Sequence, residues 1–215
     1  CLLLTPNRYS EAFVISPYAD FKTKDAREWR DSQTKSVITM DTLSEAQKAV
    51  DKLCQNRHVA EMLEGNAKTQ VAVVAEAKLD GRPLLVKGLI DLLPDAEFEW
   101  GNHLVDLKTI GKMDSLRGIE SQIYDFGYHM QAGLYLTLYN LVSGELPRDR
   151  FTFVFQLSSP PYEVAIVELS PEAIRAGTEK AFEAIRLWNE CLVSGIYPSP
   201  FDGILTANLP AWARS

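Results

Sequence analysis

At 215 residues, 46% of them hydrophobic and 24% charged, the chain can build one domain whose core needs no disulfide or metal staple. No apolar run approaches the roughly twenty residues that span a membrane, and a net charge of −7 excludes a protein that coats nucleic acid through bulk positive charge. The three cysteines, Cys1, Cys54 and Cys191, are too scattered for a disulfide framework or a CxxC knuckle, so Cys54 and Cys191 are expected as small core residues and a reducing, cytoplasmic setting is the default.

In chain order, Pro6 and Pro17 bracket a short helix end and a strand at 12–15. A charged helical turn carrying Trp29 and a β-branched stretch at 36–39 follow. Thr42-Leu43-Ser44-Glu45 reads as a capping box. Behind it Ala46, Ala49, Val50, Leu53, Val59 and Leu63 recur at helical spacing, with a break expected near Asn56 and an end by Gly65. From Gln70 the period becomes that of a strand, Asp80-Gly81 is a two-residue hairpin turn, and 84–93 is the return strand.

The third strand runs over 103–109, which makes a meander. A polar segment then leads into a single helix ending near Leu141, with Tyr124, Tyr128, Gln131 and Tyr135 at intervals of three or four. Strands at 151–157 and 163–169 precede a last helix opened by Ser170 as N-cap and Pro171 at its first position. This succession predicts an α/β or α+β fold, a mixed central β-sheet flanked by helices.

The chemistry concentrates on two strands of the meander. Asp91 ends the apolar run Leu84–Ile90, and Asp106 and Lys108 lie two apart on the next strand, hence on one face. If the strands are antiparallel neighbours, three charged groups meet at one end of the sheet. Two carboxylates can hold a hard divalent cation, and a lysine beside them can orient water or steady negative charge, which suits metal-assisted phosphodiester hydrolysis. Val105 and Leu107 alternate with the charged pair, so the charged face is expected to differ from a buried one. Lys112 and Arg117, with Arg148 and Arg150, supply local positive charge for a DNA path. The plain alternative is a solvated Asp–Lys salt bridge of little energetic consequence.

Five segments, in order, resemble the PD-(D/E)xK nuclease superfamily, and more closely the exonuclease VIII (RecE-type) nuclease domain of phage and prophage exodeoxyribonucleases. They are Leu2-Leu3-Leu4-Thr5-Pro6, Gly88-Leu89-Ile90-Asp91, Val105-Asp106-Leu107-Lys108-Thr109, Tyr128-His129-Met130-Gln131 through Tyr135, and Leu209-Pro210-Ala211-Trp212-Ala213. The resemblance implies a restriction-endonuclease-like core over the whole chain, 1–215, as a single nuclease domain. It implies Asp91, Asp106 and the backbone carbonyl of Leu107 as ligands of Mg²⁺, for which Mn²⁺ substitutes. Lys108 would position the attacking water, and Gln131 would orient Lys108 or a phosphate. Glu76 is expected to match an upstream acidic residue of related exonucleases. The family's histidine before the first segment would fall ahead of Cys1, so the domain is expected to lack its N-terminal segment, and His58, His103 and His129 do not replace that histidine.

The implied activity is digestion of linear double-stranded DNA from its ends, 5′ to 3′, in phage-type recombination. The implied partners are DNA ends, further copies of the chain in a ring, and a single-strand annealing protein, with no membrane. A catalytically inactive DNA-binding or assembly module of the same fold, and a metal-free scaffold, are the competing readings.

Overall fold

A computed structural model describes residues 3–79, 81–144, 146–199, 201 and 203–208. Asp80 of the hairpin turn and the segment Leu209–Ala213 therefore lie outside the described residues, as does Leu2. After a 3-10 turn at Pro6–Arg8, the elements are α1 (Tyr9–Ala12), β1 (Phe13–Ile15), α2 (Lys24–Asp31), β2 (Ser36–Ile38), α3 (Met40–Gln55) and α4 (Arg57–Met62). The sheet-forming half follows: β3 (Lys68–Leu79), β4 (Arg82–Leu93), β5 (His103–Ile110), α5 (Leu116–Asp125), α6 (Tyr128–Val142), β6 (Arg150–Leu157), β7 (Val164–Glu168) and α7 (Pro171–Ser194).

The main sheet has five strands in the order β3-β4-β5-β6-β7, and β1 and β2 form a separate parallel pair. The β3-β4-β5 meander is antiparallel, β5 and β6 are parallel, and β7 returns antiparallel to β6. A parallel pair needs a crossover, and α5 and α6 supply it. The fold is thus the mixed, helix-flanked sheet that the element pattern predicts.

Helices cover both faces. One core gathers Val73, Ile90, Leu104, Ile110 and Phe151, Phe153 and Phe155 with Leu136 and Tyr139 of α6. The other gathers Leu92, Val105 and Val154 with Leu53, Val59 and Met62 of α3 and α4. The three β6 phenylalanines are fully buried, each contributing about 1.5–3 kcal/mol of apolar burial. A central strand buried on both sides needs this near-continuous apolar and aromatic run. The charged face of β5 is therefore not a solvent face: α6 lies over it.

Several local features differ from the sequence expectation. The expected single helix to Leu141 is two helices, because Gly127 adopts φ +68° between α5 and α6. A left-handed residue ends one helical run, and glycine reaches that region without a Cβ clash. Thr39 caps α3, its hydroxyl accepting from Thr42 N at 3.1 Å, one turn earlier than the predicted box. The break at Asn56 is present, and its side chain caps α4. Ser170 caps α7 as predicted. Cys191 is buried, but Cys54 is exposed.

Arg148 is 3% exposed, its charge turned into the fold and away from solvent. Its guanidinium donates to the carbonyls of His103 and Pro94 at 2.8 Å each, tying the loop before β6 to the ends of β5 and β4. Arg150 stands 3.4 Å from Glu168.

Helices α6 and α7 pack backbone to backbone. A Cβ on Gly133 would fall into Thr178, and one on Gly177 into the carbonyl of His129. Among the described residues, no helix is long and apolar enough to cross a membrane.

Candidate metal centre

Strands β4 and β5 share one paired position, Leu92↔Val105. One step further in that register Asp91 lies opposite Asp106, so the two acidic side chains share one face of the sheet where the strands part. The Asp91 side chain takes over from the ladder there, its Oδ2 accepting from Leu107 N at 3.0 Å. The N–H and C=O of a strand residue project to the same side, so the Leu107 carbonyl is directed toward the β4 side as well.

Lys108 lies two residues from Asp106 on the same face, beneath α6. Its ammonium stands 2.6 Å from Asp106 Oδ2 and donates to Gln131 Oε1 at 2.9 Å. It also lies 4.6 Å from the centre of the Tyr128 ring, a cation–π distance. The Gln131 amide closes the circuit, with Nε2 donating to Asp106 Oδ1 at 2.5 Å. The structure thus brings Asp91, Asp106, Leu107, Lys108 and Gln131 together. The Lys108–Asp106 contact is no solvated surface pair, since their side chains are 18% and 4% exposed.

Burial is the largest influence on the Asp106 carboxyl and raises its pKa above the usual value. Lys108 opposes that shift and the Asp91 charge adds to it. Both Asp106 oxygens are engaged, Oδ1 by the Gln131 amide and Oδ2 by the Lys108 ammonium. With two carboxylates on one face and a single ammonium beside them, the cluster carries one more negative charge than positive when both are ionised.

Among the described residues, no three His, Cys, Asp or Glu side chains gather to hold a metal. The available set is two carboxylates and a carbonyl, all hard oxygens. That fits Mg²⁺, which keeps several waters and binds through one or two carboxylates plus substrate phosphates.

Glu76 is not brought to this place. It pairs with Leu85, six positions along β4 from Asp91 or about 20 Å, and it is exposed. Gln70 stands opposite Asp91 instead, its Nε2 donating to Asp91 Oδ1 at 2.7 Å. Sequence reasoning misses Gln70 by looking for an acid. The available signal is the register: Leu79 pairs with Arg82, and counting back from that pair leads to Gln70 opposite Asp91.

Tyr124 lies on α5 and is exposed. It stacks on His129, whose Nδ1 is 3.2 Å from Ile123 O, beside a separate cavity of about 440 Å³. The Leu3–Pro6 segment lies close to β3, since Thr69 Oγ1 donates to Leu4 O at 2.6 Å. Lys112 is exposed and paired with Asp114, and Arg117 is exposed at the start of α5.

Residues 2–200 match the family described as PDDEXK-like domain of unknown function (DUF3799). The chain belongs to that family. No curated protein matches this PDDEXK-like domain. Among solved structures it is similar to a "Putative exonuclease" from Eubacterium rectale, with 12% identity over 86% of this chain and 70% of the other, at a TM-score of 0.58. At that identity the likeness establishes the shared fold. The structure of SSO0001 aligns over 87% of this chain and 86% of its own at 19% identity, with a TM-score of 0.37, too low to carry an argument.

Proposed function

We propose that this PDDEXK-like domain is a Mg²⁺-dependent exodeoxyribonuclease acting on the ends of linear double-stranded DNA, 5′ to 3′, in phage-type recombination. The observation that carries the reading is the apposition of Asp91 and Asp106 at the parting of β4 and β5, with Lys108 and Gln131 closed over Asp106. The resemblance to RecE-type nucleases supplies the polarity and the DNA ends. The name of the Eubacterium rectale protein carries the word exonuclease.

Asp91, Asp106 and the Leu107 carbonyl would hold the cation. When bound, a divalent cation supplies Lewis-acid polarisation of the phosphate and lowers the pKa of water. Asp106 supplies the oxygen that Lys108 now neutralises, and Asp91 is held by the Leu107 amide. Lys108 sets positive charge beside the phosphate where the transition state gathers negative charge. Gln131 orients that ammonium through its carbonyl and holds Asp106 through its amide hydrogens. Duplex binding by an acidic chain then rests on local cations such as Lys112 and Arg117, and on repetition of them in a ring of subunits. A single-strand annealing protein is the partner that would use the exposed strand.

Digestion of end-labelled linear duplex with Mg²⁺ tests the reading, with Asp106→Ala and closed circular DNA as controls. Shortening by the native chain alone, with the circle untouched, is expected. No digestion of any substrate by the native chain overturns it.

A further inference from the structure

Gln70 is a non-glycine residue with φ +51°, in the left-handed region that a Cβ disfavours. It sits inside β3, a strand otherwise paired with β4 from Lys68↔Leu93 to Leu79↔Arg82 in one unbroken register. The ladder skips the Gln70–Asp91 position while Thr69↔Leu92 and Val71↔Ile90 pair on either side of it. No residue is inserted, so no bulge accounts for the distortion. Glycine would occupy this backbone conformation more easily. What glutamine adds is an amide group, and its recorded bond is to Asp91 Oδ1 at 2.7 Å.

That bond completes a bracket around Asp91. Oδ1 accepts from the Gln70 side chain and Oδ2 from the Leu107 backbone. A carboxylate offers about four acceptor positions, so two donors fix its plane and leave positions open to a cation. The Gln70 amide is neutral: it orients Asp91 without adding a third negative charge beside Asp91 and Asp106, and without neutralising either.

We propose that Gln70 is a positioning residue of the cation site, its strained backbone aiming the amide that sets the Asp91 carboxylate. This rests on the nuclease reading of Asp91 and Asp106. Strain concentrated at one residue whose side chain reaches a site carboxylate is the pattern of a conformation kept for function.

Two variants of the full chain separate the amide from the backbone. Gln70→Gly removes both the strain and the amide, and Gln70→Met keeps the side-chain length and the strain but loses the donor. Thermal melts in metal-free buffer and calorimetric titration with Mn²⁺ are read for both against the native chain. Gln70→Gly is expected to melt at or above the native temperature, and both variants to bind Mn²⁺ about tenfold or more weakly, as for groups that orient metal ligands. A Gln70→Gly variant that melts lower makes the residue structural and overturns the proposal. So does either variant binding Mn²⁺ within twofold of the native chain. A native chain that binds no Mn²⁺ removes the nuclease reading, and the proposal with it, a pattern distinct from native binding that the variants retain.

Discussion

Lys108 Nζ stands 2.6 Å from Asp106 Oδ2 and 2.9 Å from Gln131 Oε1, so the lysine is the counter-charge of a carboxylate that is itself 3% exposed. An ammonium and a divalent cation compete for such an oxygen. Lys108→Met is therefore expected to bind Mn²⁺ as tightly as the native chain or more tightly, while DNA cleavage falls about 100-fold or more. Calorimetry and a cleavage assay on the same preparation check this. Weaker Mn²⁺ binding by the variant would mean that the lysine supports the cation site and does not compete with it.

Asp106 carries a pH signature. Its carboxyl holds a proton more tightly in the folded chain than in the unfolded one, with burial the main cause. The folded state then binds more protons, so metal-free stability is fullest below the unfolded value of 3.8 and declines as pH rises toward the folded pKa. Asp106→Asn should flatten that decline and raise the metal-free melting temperature at neutral pH by a few degrees, about 2–4 °C per kcal/mol for a chain of this size. Melts from pH 3 to 8 decide it: a variant with the native slope would place the pH dependence elsewhere.

Gln131→Ala breaks both the Lys108 and the Asp106 bonds at once. Cleavage should fall about 10–100-fold, the range for groups that orient metal ligands, with the circular dichroism spectrum retained. Native cleavage rates in this variant would remove Gln131 from the site.

Glu76→Ala should leave cleavage and Mn²⁺ affinity within about twofold of native, because an exposed substitution away from special features is usually near neutral. A large loss would show that the exposed side chain contacts DNA.

Arg148→Met tests a structural role. Two buried hydrogen bonds from a charged donor disappear and two carbonyls lose their partner. The expected cost is about 3 kcal/mol, read by denaturant unfolding. Unchanged stability with weakened DNA binding would return Arg148 to a DNA path.

Much of the gathered site is readable from local spacing. Asp106 and Lys108 share a face because strand residues alternate, Asp91 ends an apolar run, and Gln131 sits one turn from Tyr128. What is not local is harder to read. The left-handed Gln70 has no compositional mark, and its relation to Asp91 appears only when the register is counted through the hairpin. The division between α5 and α6 depends on one glycine inside an otherwise helical pattern. The cover over Lys108 comes from the β5–α6–β6 crossover, so alternation alone suggests an open charged face where the structure has a roofed one. Arg148 reads as a surface cation until the two strand ends it joins are seen side by side.

The glycine contact between α6 and α7 has a consequence on the far side of α6. Gln131 lies between His129, whose carbonyl abuts Gly177, and Gly133, which abuts Thr178. With its rear surface flush against α7, α6 has no clearance in which to back away from the sheet. Functional groups must be held to about 0.5 Å, and here the gauge that sets this tolerance for Gln131 is a pair of missing methyl groups, one on the rear surface of α6 and one on the face of α7 that meets it.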